Sequence, residues 1–168
     1  MAKLRLAGVI RESIVDGPGI RMTVFTQGCP HHCKGCHNEQ TWDFDGGYES
    51  STERILEEAK KDPLLRGLTF SGGEPFAQAQ SMALLAKEAK ENGYDIFCYT
   101  GYTFEKLLSM FDTHPEYKEL LSYCDWLVDG PFILEERSLM LKFRGSKNQR
   151  ILDVKKTLEC NKAVETEV

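Results

Sequence analysis

A chain of 168 residues, 41% hydrophobic and 28% charged, is long enough for one hydrophobic core and short for two, and lies far from the composition of disordered proteins. Its formal net charge of −5 argues against a duplex-binding surface built on phosphate contacts, so nucleic acid is not an expected partner. With no apolar run near the roughly 20 residues that cross a bilayer and no signal-peptide core after MAKLRLAGVIRES, a cytoplasmic location with no membrane partner is expected.

The elements alternate in type along the chain. Residues 3–10 read as an edge strand, 21–27 (RMTVFTQ) as a strand, 52–61 as a helix opened by a Ser/Thr cap, and 67–71 (GLTFS) as a second strand. Residues 78–92 carry Met82, Leu85, Ala86 and Ala89 as a helical stripe, with Gly93 where a helix C-cap favours glycine. A strand over 94–99, helices over 103–110 and 115–123, a short strand over 125–128 and a further one over 150–154 follow, and 162–168 reads as a disordered tail on a single domain of 1–168. Short apolar strands separated by helices predict an α/β fold with an open parallel sheet. Each of four strands runs into a glycine-bearing loop, at Gly28, Gly72-Gly73, Gly101 and Gly130. Loops at the carboxyl ends of parallel strands converge on ligands, so these four are expected to share one face and form an active site.

The segment CPHHCKGCHN at 29–38 holds three of the six cysteines, Cys29, Cys33 and Cys36. In a reducing compartment such clustering points to metal rather than disulfides. Three thiolates around an iron–sulfur cube leave one iron without a protein ligand, which suits chemistry. Zinc is the rival, with His31, His32 or His37 completing a tetrahedron, although structural zinc sites usually draw on two separated ligand pairs and no second pair is present. Ser71-Gly72-Gly73-Glu74-Pro75 offers close backbone approach to a ligand and a carboxylate for an ammonium or hydroxyl, or else an ordinary strand-to-helix turn. Asp16-Gly17-Pro18-Gly19-Ile20-Arg21 reads as a stiff turn ahead of the first parallel strand, or else as a ligand loop. Lys142, Arg144, Lys147 and Arg150 form the one compact basic stretch, either solvated charge or a docking surface for an acidic segment or carboxylate. Cys98 and Cys124 read as small core residues, and Trp42 and Trp126 as packing residues, with Trp42 close enough in sequence to shield the cysteine loop.

Cys-x3-Cys-x2-Cys after one strand and Gly-Gly-Glu-Pro after a later one resemble the radical S-adenosylmethionine superfamily. The stretch IVDGPGIRMTVFTQGCPHHCKGCHNEQTWD is similar to the glycyl-radical-enzyme activases. TGYTFEKL, DWLVDGPF and FRGSKNQRILD resemble the branch of those activases that serves anaerobic ribonucleoside-triphosphate reductase.

The resemblance implies a partial (β/α) barrel of the radical SAM type and an iron–sulfur oxidoreductase akin to the formate-lyase (formate C-acetyltransferase) activases. Cys29, Cys33 and Cys36 would bind a [4Fe-4S] cluster whose unique iron is chelated by S-adenosylmethionine (SAM). Backbone at Gly35, Cys36 and His37 would contact the nucleoside end, and Gly72, Gly73 and Glu74 the methionine ammonium. Thr100 and Asp129 occupy strand ends where related activases contact the cofactor or a monovalent cation. An electron from a donor such as flavodoxin, ferredoxin or a thioredoxin system would cleave SAM to methionine and a 5′-deoxyadenosyl radical, which takes a hydrogen from a glycine of the reductase large subunit. Six or fewer strands would leave a lateral gap wide enough for that glycine. An activase of another glycyl radical enzyme of the formate-lyase type, or a zinc-stabilised binding module, are the alternatives.

Overall fold

The computed structural model describes residues 2–36 and 38–168. Its sheet is built from β1 (Lys3–Ser13), β2 (Arg21–Thr26), β3 (Tyr48–Ser51), β4 (Gly67–Gly72), β5 (Asp95–Tyr99), β6 (Trp126–Asp129) and β7 (Arg150–Asp153). The helices are α1 (Thr52–Lys60), α2 (Ala79–Glu91), α3 (Phe104–Met110), α4 (Pro115–Tyr123) and α5 (Val154–Cys160). The strand order is β3-β1-β2-β4-β5-β6-β7. β2, β4, β5 and β6 run parallel, while β1, β3 and β7 pair antiparallel. The expected parallel sheet is therefore the centre of a mixed one.

Three differences from the sequence-based expectations have plain causes. β1 extends to Ser13 and lies inside the sheet, because β3 pairs along it in the register Leu6↔Tyr48 and takes the edge. β3 reads YESS, half-buried at best, so it lacks the apolar alternation that marks a strand; an edge strand with one solvated face needs none. This makes seven strands rather than six or fewer. Residues 162–168, expected as a disordered tail, run along β7: Asp153 N donates to Val164 O at 2.8 Å and Thr166 N to Ile151 O at 2.9 Å. Ala163 and Val168 pack on the hydrophobic clusters there.

Side-chain parity divides the central strands. Met22, Val24, Leu68, Phe70, Ile96, Cys98 and Leu127 share one buried cluster with Ile55, Leu85, Phe104, Leu120 and Val154 from the five helices. The alternate residues Arg21, Thr23, Thr69, Phe97 and Val128 are buried too, on the other face. Ser51 caps α1 by accepting from Arg54 N at 3.2 Å. α2 turns its stripe of Met82, Leu85, Ala86 and Ala89 wholly inward and stops before Gly93, which takes φ +88° as expected for its place after the helix.

Candidate active site

The four glycine loops meet. Cys29 and the segment after β2, Gly72-Gly73 after β4, Thr100-Gly101 after β5 and Gly130 after β6 line one cavity of about 360 Å³ at the carboxyl ends of the parallel strands. Its other walls include Val15 and Asp16, Tyr99, Phe132, Leu141, and Phe143 to Gly145.

The cysteine loop begins where β2 ends and closes on itself. Gly28 N donates to Thr41 O at 2.6 Å and Cys29 N to Trp42 O at 3.2 Å, while Gln27 Nε2 donates to Gln40 O and Asp43 O. Within it, Cys36 N donates to Cys33 O at 3.1 Å, so the second and third cysteines sit on one tight turn. Gly35 takes φ +77°, and a Cβ there would press on Leu134. His32 stacks on Trp42 at 4.5 Å within the loop. The Cys29, Cys33 and Cys36 thiols are free and all line the cavity. Burial pushes Cys29 and Cys33 up from the ordinary thiol range, with the Glu74 carboxylate adding to the rise. A bound metal must offset that rise, since the thiolate is the ligand form.

Glu74 is held by the chain itself. Its side chain is fully buried, and donors of the chain itself occupy its oxygens: Gly101 N at 2.8 Å, Phe76 N at 3.1 Å, and Thr100 Oγ1 at 2.9 and 3.0 Å from the two oxygens. His31 Nε2 lies 2.6 Å from Oε1. In this structure Glu74, expected at a ligand ammonium, ties the cysteine loop, through His31, to the loops after β4 and β5. His31 also packs edge-on to Tyr102 at 4.5 Å. Gly72 and Gly73 do line the cavity, and Gly73 N donates to Thr26 O while Glu74 N donates to Gly28 O, both at 2.8 Å. A Cβ on Gly73 would run into the Gly28 carbonyl, so a side chain there disturbs the cysteine loop as well as any ligand.

Parity decides the two strand-end residues. Asp129 follows Val128 and turns to the helix face, where its carboxylate accepts from Phe104 N at 2.8 Å and from Arg150 Nε and Nη2 at 3.0 and 2.5 Å. It is buried and does not line the cavity; its neighbour Gly130 does. Asp129, expected as a cofactor or cation contact, here anchors Arg150, whose guanidinium these bonds and Glu105 hold firmly charged. Thr100 lines the cavity while its hydroxyl serves Glu74. His37 lies outside the described residues. Arg144, from the basic stretch, was not expected at the site and lines it. Arg21, expected where the turn meets the first parallel strand, is completely buried: Nη2 pairs with Asp95 Oδ1 at 2.6 Å and Nε donates to Thr69 Oγ1 at 2.8 Å. No periodicity marks a buried arginine, because its partners come from three other strands and loops.

Among the described residues no three His, Cys, Asp or Glu side chains are grouped so as to hold a single metal ion. A cube of iron and sulfide asks for thiolates spread around a larger object, and three free thiols on one wall of this cavity meet that demand with no fourth cysteine in the loop. Two further wall residues, Trp42 and Arg144, each hold a buried N–H donor, Nε1 and Nε, without a hydrogen-bond partner. Unsatisfied buried donors suit a ligand rich in acceptors. The residues present fit a cluster with an acceptor-bearing ligand beside it.

The chain matches, over residues 15–152, the family described as a 4Fe-4S single cluster domain. A relative from Vibrio cholerae is 39% identical over 146 residues, covering 82% of this chain and 90% of its own. Relatives from Haemophilus influenzae (34% identical, covering 82% and 90%) and Enterobacteria phage T4 (33%, covering 82% and 86%) bear the same name, anaerobic ribonucleoside-triphosphate reductase-activating protein. The crystal structure of QueE from Escherichia coli aligns at 18% identity and TM-score 0.48 over 60% of this chain and 54% of its own, too partial a likeness to bear on function.

Proposed function

The chain belongs to the 4Fe-4S single cluster domain family and, within it, to the anaerobic ribonucleoside-triphosphate reductase-activating proteins, and from that membership we propose that it is an iron–sulfur activase that generates a glycyl radical on the large subunit of that reductase. The observation that carries the reading is the convergence of Cys29, Cys33 and Cys36 with Gly72, Gly73 and Gly101 on one cavity at the strand carboxyl ends. In this reading the three cysteines hold a [4Fe-4S] cluster and S-adenosylmethionine occupies the rest of the cavity. When bound and reduced, the pair supplies a one-electron cleavage whose carbon radical removes hydrogen from a glycine α-carbon.

The chain's own residues bind, orient and shield. Gly72 and Gly73 would present bare backbone to the amino-acid end of the cofactor, and Gly35 with Cys36 to its nucleoside end. Glu74 acts from beneath: by holding His31, Thr100 and the Gly101 amide it keeps the walls in register. Trp42, stacked on His32, and Phe143 on the opposite loop keep water from the reacting centre. The electron comes from a small donor protein such as a flavodoxin, a ferredoxin or a thioredoxin system.

The test is to reconstitute the protein anaerobically with iron and sulfide, add reductant, S-adenosylmethionine and the reductase large subunit, and record the electron paramagnetic resonance spectrum. A doublet-split glycyl radical on the large subunit is expected. Its absence there and appearance on a formate-lyase-type enzyme would reassign the target, and a colourless zinc protein would refute the reading.

A further inference from the structure

The loop between β6 and β7 is pinned by contacts of its own. Arg137 and Ser146 form an antiparallel bridge that closes its base, Ser138 N donates to Gly145 O at 3.3 Å, and Lys147 N donates to Glu136 O at 2.9 Å. Gln149 Oε1 accepts from the Gly145 and Ser146 amides, and Tyr99 donates its hydroxyl to Phe143 O at 2.7 Å. Phe143 sits at φ +62°, a conformation that an aromatic residue keeps only where its surroundings dictate it. Yet at the tip of this pinned loop Leu139 and Met140 are 94% and 93% exposed, while Leu141 lines the cavity. A second apolar pair, Ile14 and Val15, is 73% and 70% exposed on the β1–β2 loop, and Val15 lines the same cavity. Two solvated apolar pairs therefore flank one opening.

Charge distinguishes this rim from the rest of the molecule. Residues 137–147 carry Arg137, Lys142, Arg144 and Lys147 and no Asp or Glu, in a chain whose net charge is −5. Lys142 is engaged by Val168 O at 2.6 Å, and Arg150 just beyond is neutralised by Asp129 and Glu105. Among the described residues, Arg137, Arg144 and Lys147 form no ion pair. Apolar side chains held out into water beside unpaired cations, on loops that continue into the cavity wall, fit a polypeptide that is apolar and acidic and enters the cavity.

We propose that the loop tip of residues 137–147, together with Ile14 and Val15, is the docking rim for the glycine-bearing segment of the reductase large subunit, and that this segment brings apolar residues flanked by Asp or Glu. The inference rests on the activase reading above. A glycine that must reach the cavity passes between Val15 and Leu141, and contacts on the two loops that carry those residues would hold it there.

The test uses anaerobically reconstituted wild type, the double variant Leu139→Asp/Met140→Asp, and Lys147→Glu, all changed at exposed positions outside the cavity wall. Affinity for the large subunit, glycyl radical yield at limiting partner, and 5′-deoxyadenosine release without partner are measured. We expect the double variant to bind about tenfold more weakly or worse, with radical yield falling in step and partner-free cofactor cleavage unchanged. Lys147→Glu should lose less, and its deficit should fade as salt is raised. Wild-type affinity in the double variant, while the wild type still forms the radical, overturns the docking rim. So does a wild-type dimer that the double variant alone dissolves, which would give the rim to a second copy. A wild type that forms no radical on the large subunit fails the activase reading itself, whatever the variants do.

Discussion

The two faces of the central strands are equally dry, but the reverse face sets buried polar groups beside its apolar Phe97 and Val128. Toward the helices, Met22, Val24, Leu68, Phe70, Ile96, Cys98 and Leu127 are each at most 1% exposed and wholly apolar in packing. On the reverse face Arg21, Thr23 and Thr69 are just as buried, and every one is hydrogen-bonded: Asp16 Oδ2 accepts from Ser13 and Thr23, Asp16 O accepts from Thr69, and Arg21 reaches Thr69, Pro18 O and Asp95. The apolar face needs only volume and area. The polar face needs particular partners, and those partners pin residues 14–20 against the sheet, which sets Val15 and Asp16 into the cavity wall. One face holds the sheet together; the other builds the site.

That division can be broken from either side. The largest effect is expected from Cys33→Ala, which removes one of three thiols: the broad visible absorbance of the reconstituted cluster and the cleavage of S-adenosylmethionine should both vanish, while the thermal unfolding of the metal-free protein stays put. Retained cleavage would remove Cys33 from the ligand set. Next is Phe70→Ala on the apolar face, fully buried and expected to cost about 3–5 kcal/mol in denaturant unfolding through the cavity it leaves. Amide exchange of residues 14–20 should then rise no more than elsewhere.

Arg21→Met strikes the polar face. Asp95 keeps Arg66 at 3.0 Å, so the expected loss is smaller, about 2–3 kcal/mol, but exchange at residues 14–20 should accelerate selectively. Uniform acceleration would deny that the polar face has a separate task. The smallest effect belongs to Glu74→Gln, at about 1–3 kcal/mol, since it replaces one acceptor of a saturated carboxylate by a donor facing donors. Its signature should be weakened S-adenosylmethionine binding without any change in iron content, read by equilibrium dialysis and iron assay. Unaltered cofactor binding would show that the His31, Thr100 and Gly101 contacts do not tune the walls.

Much of the site could be read along the chain where a feature is local. The cysteine spacing, the glycines after four strands, the stripe of α2 and the Ser51 cap all depend on residues within a few positions of one another. Features that depend on strand parity or on distant partners could not. Glu74 stands after a strand with a carboxylate that suggested a ligand contact, yet its donors come from His31 and from Thr100 and Gly101, 43, 26 and 27 residues away. Asp129 stood at a strand end like the glycine beside it, and one step of side-chain alternation sent it to the helix face. β3 was missed because an exposed edge strand lacks the apolar pattern that marks a buried one.

By itself the sequence determined the chemistry: three closely spaced thiols, bare glycines where parallel strands end, and the resemblance to activases that these carry. Tertiary structure alone decided which polar groups line the cavity and which hold one another. A carboxylate in a dry interior is directed by whichever donors fold around it, and a run of residues does not say which donors those will be.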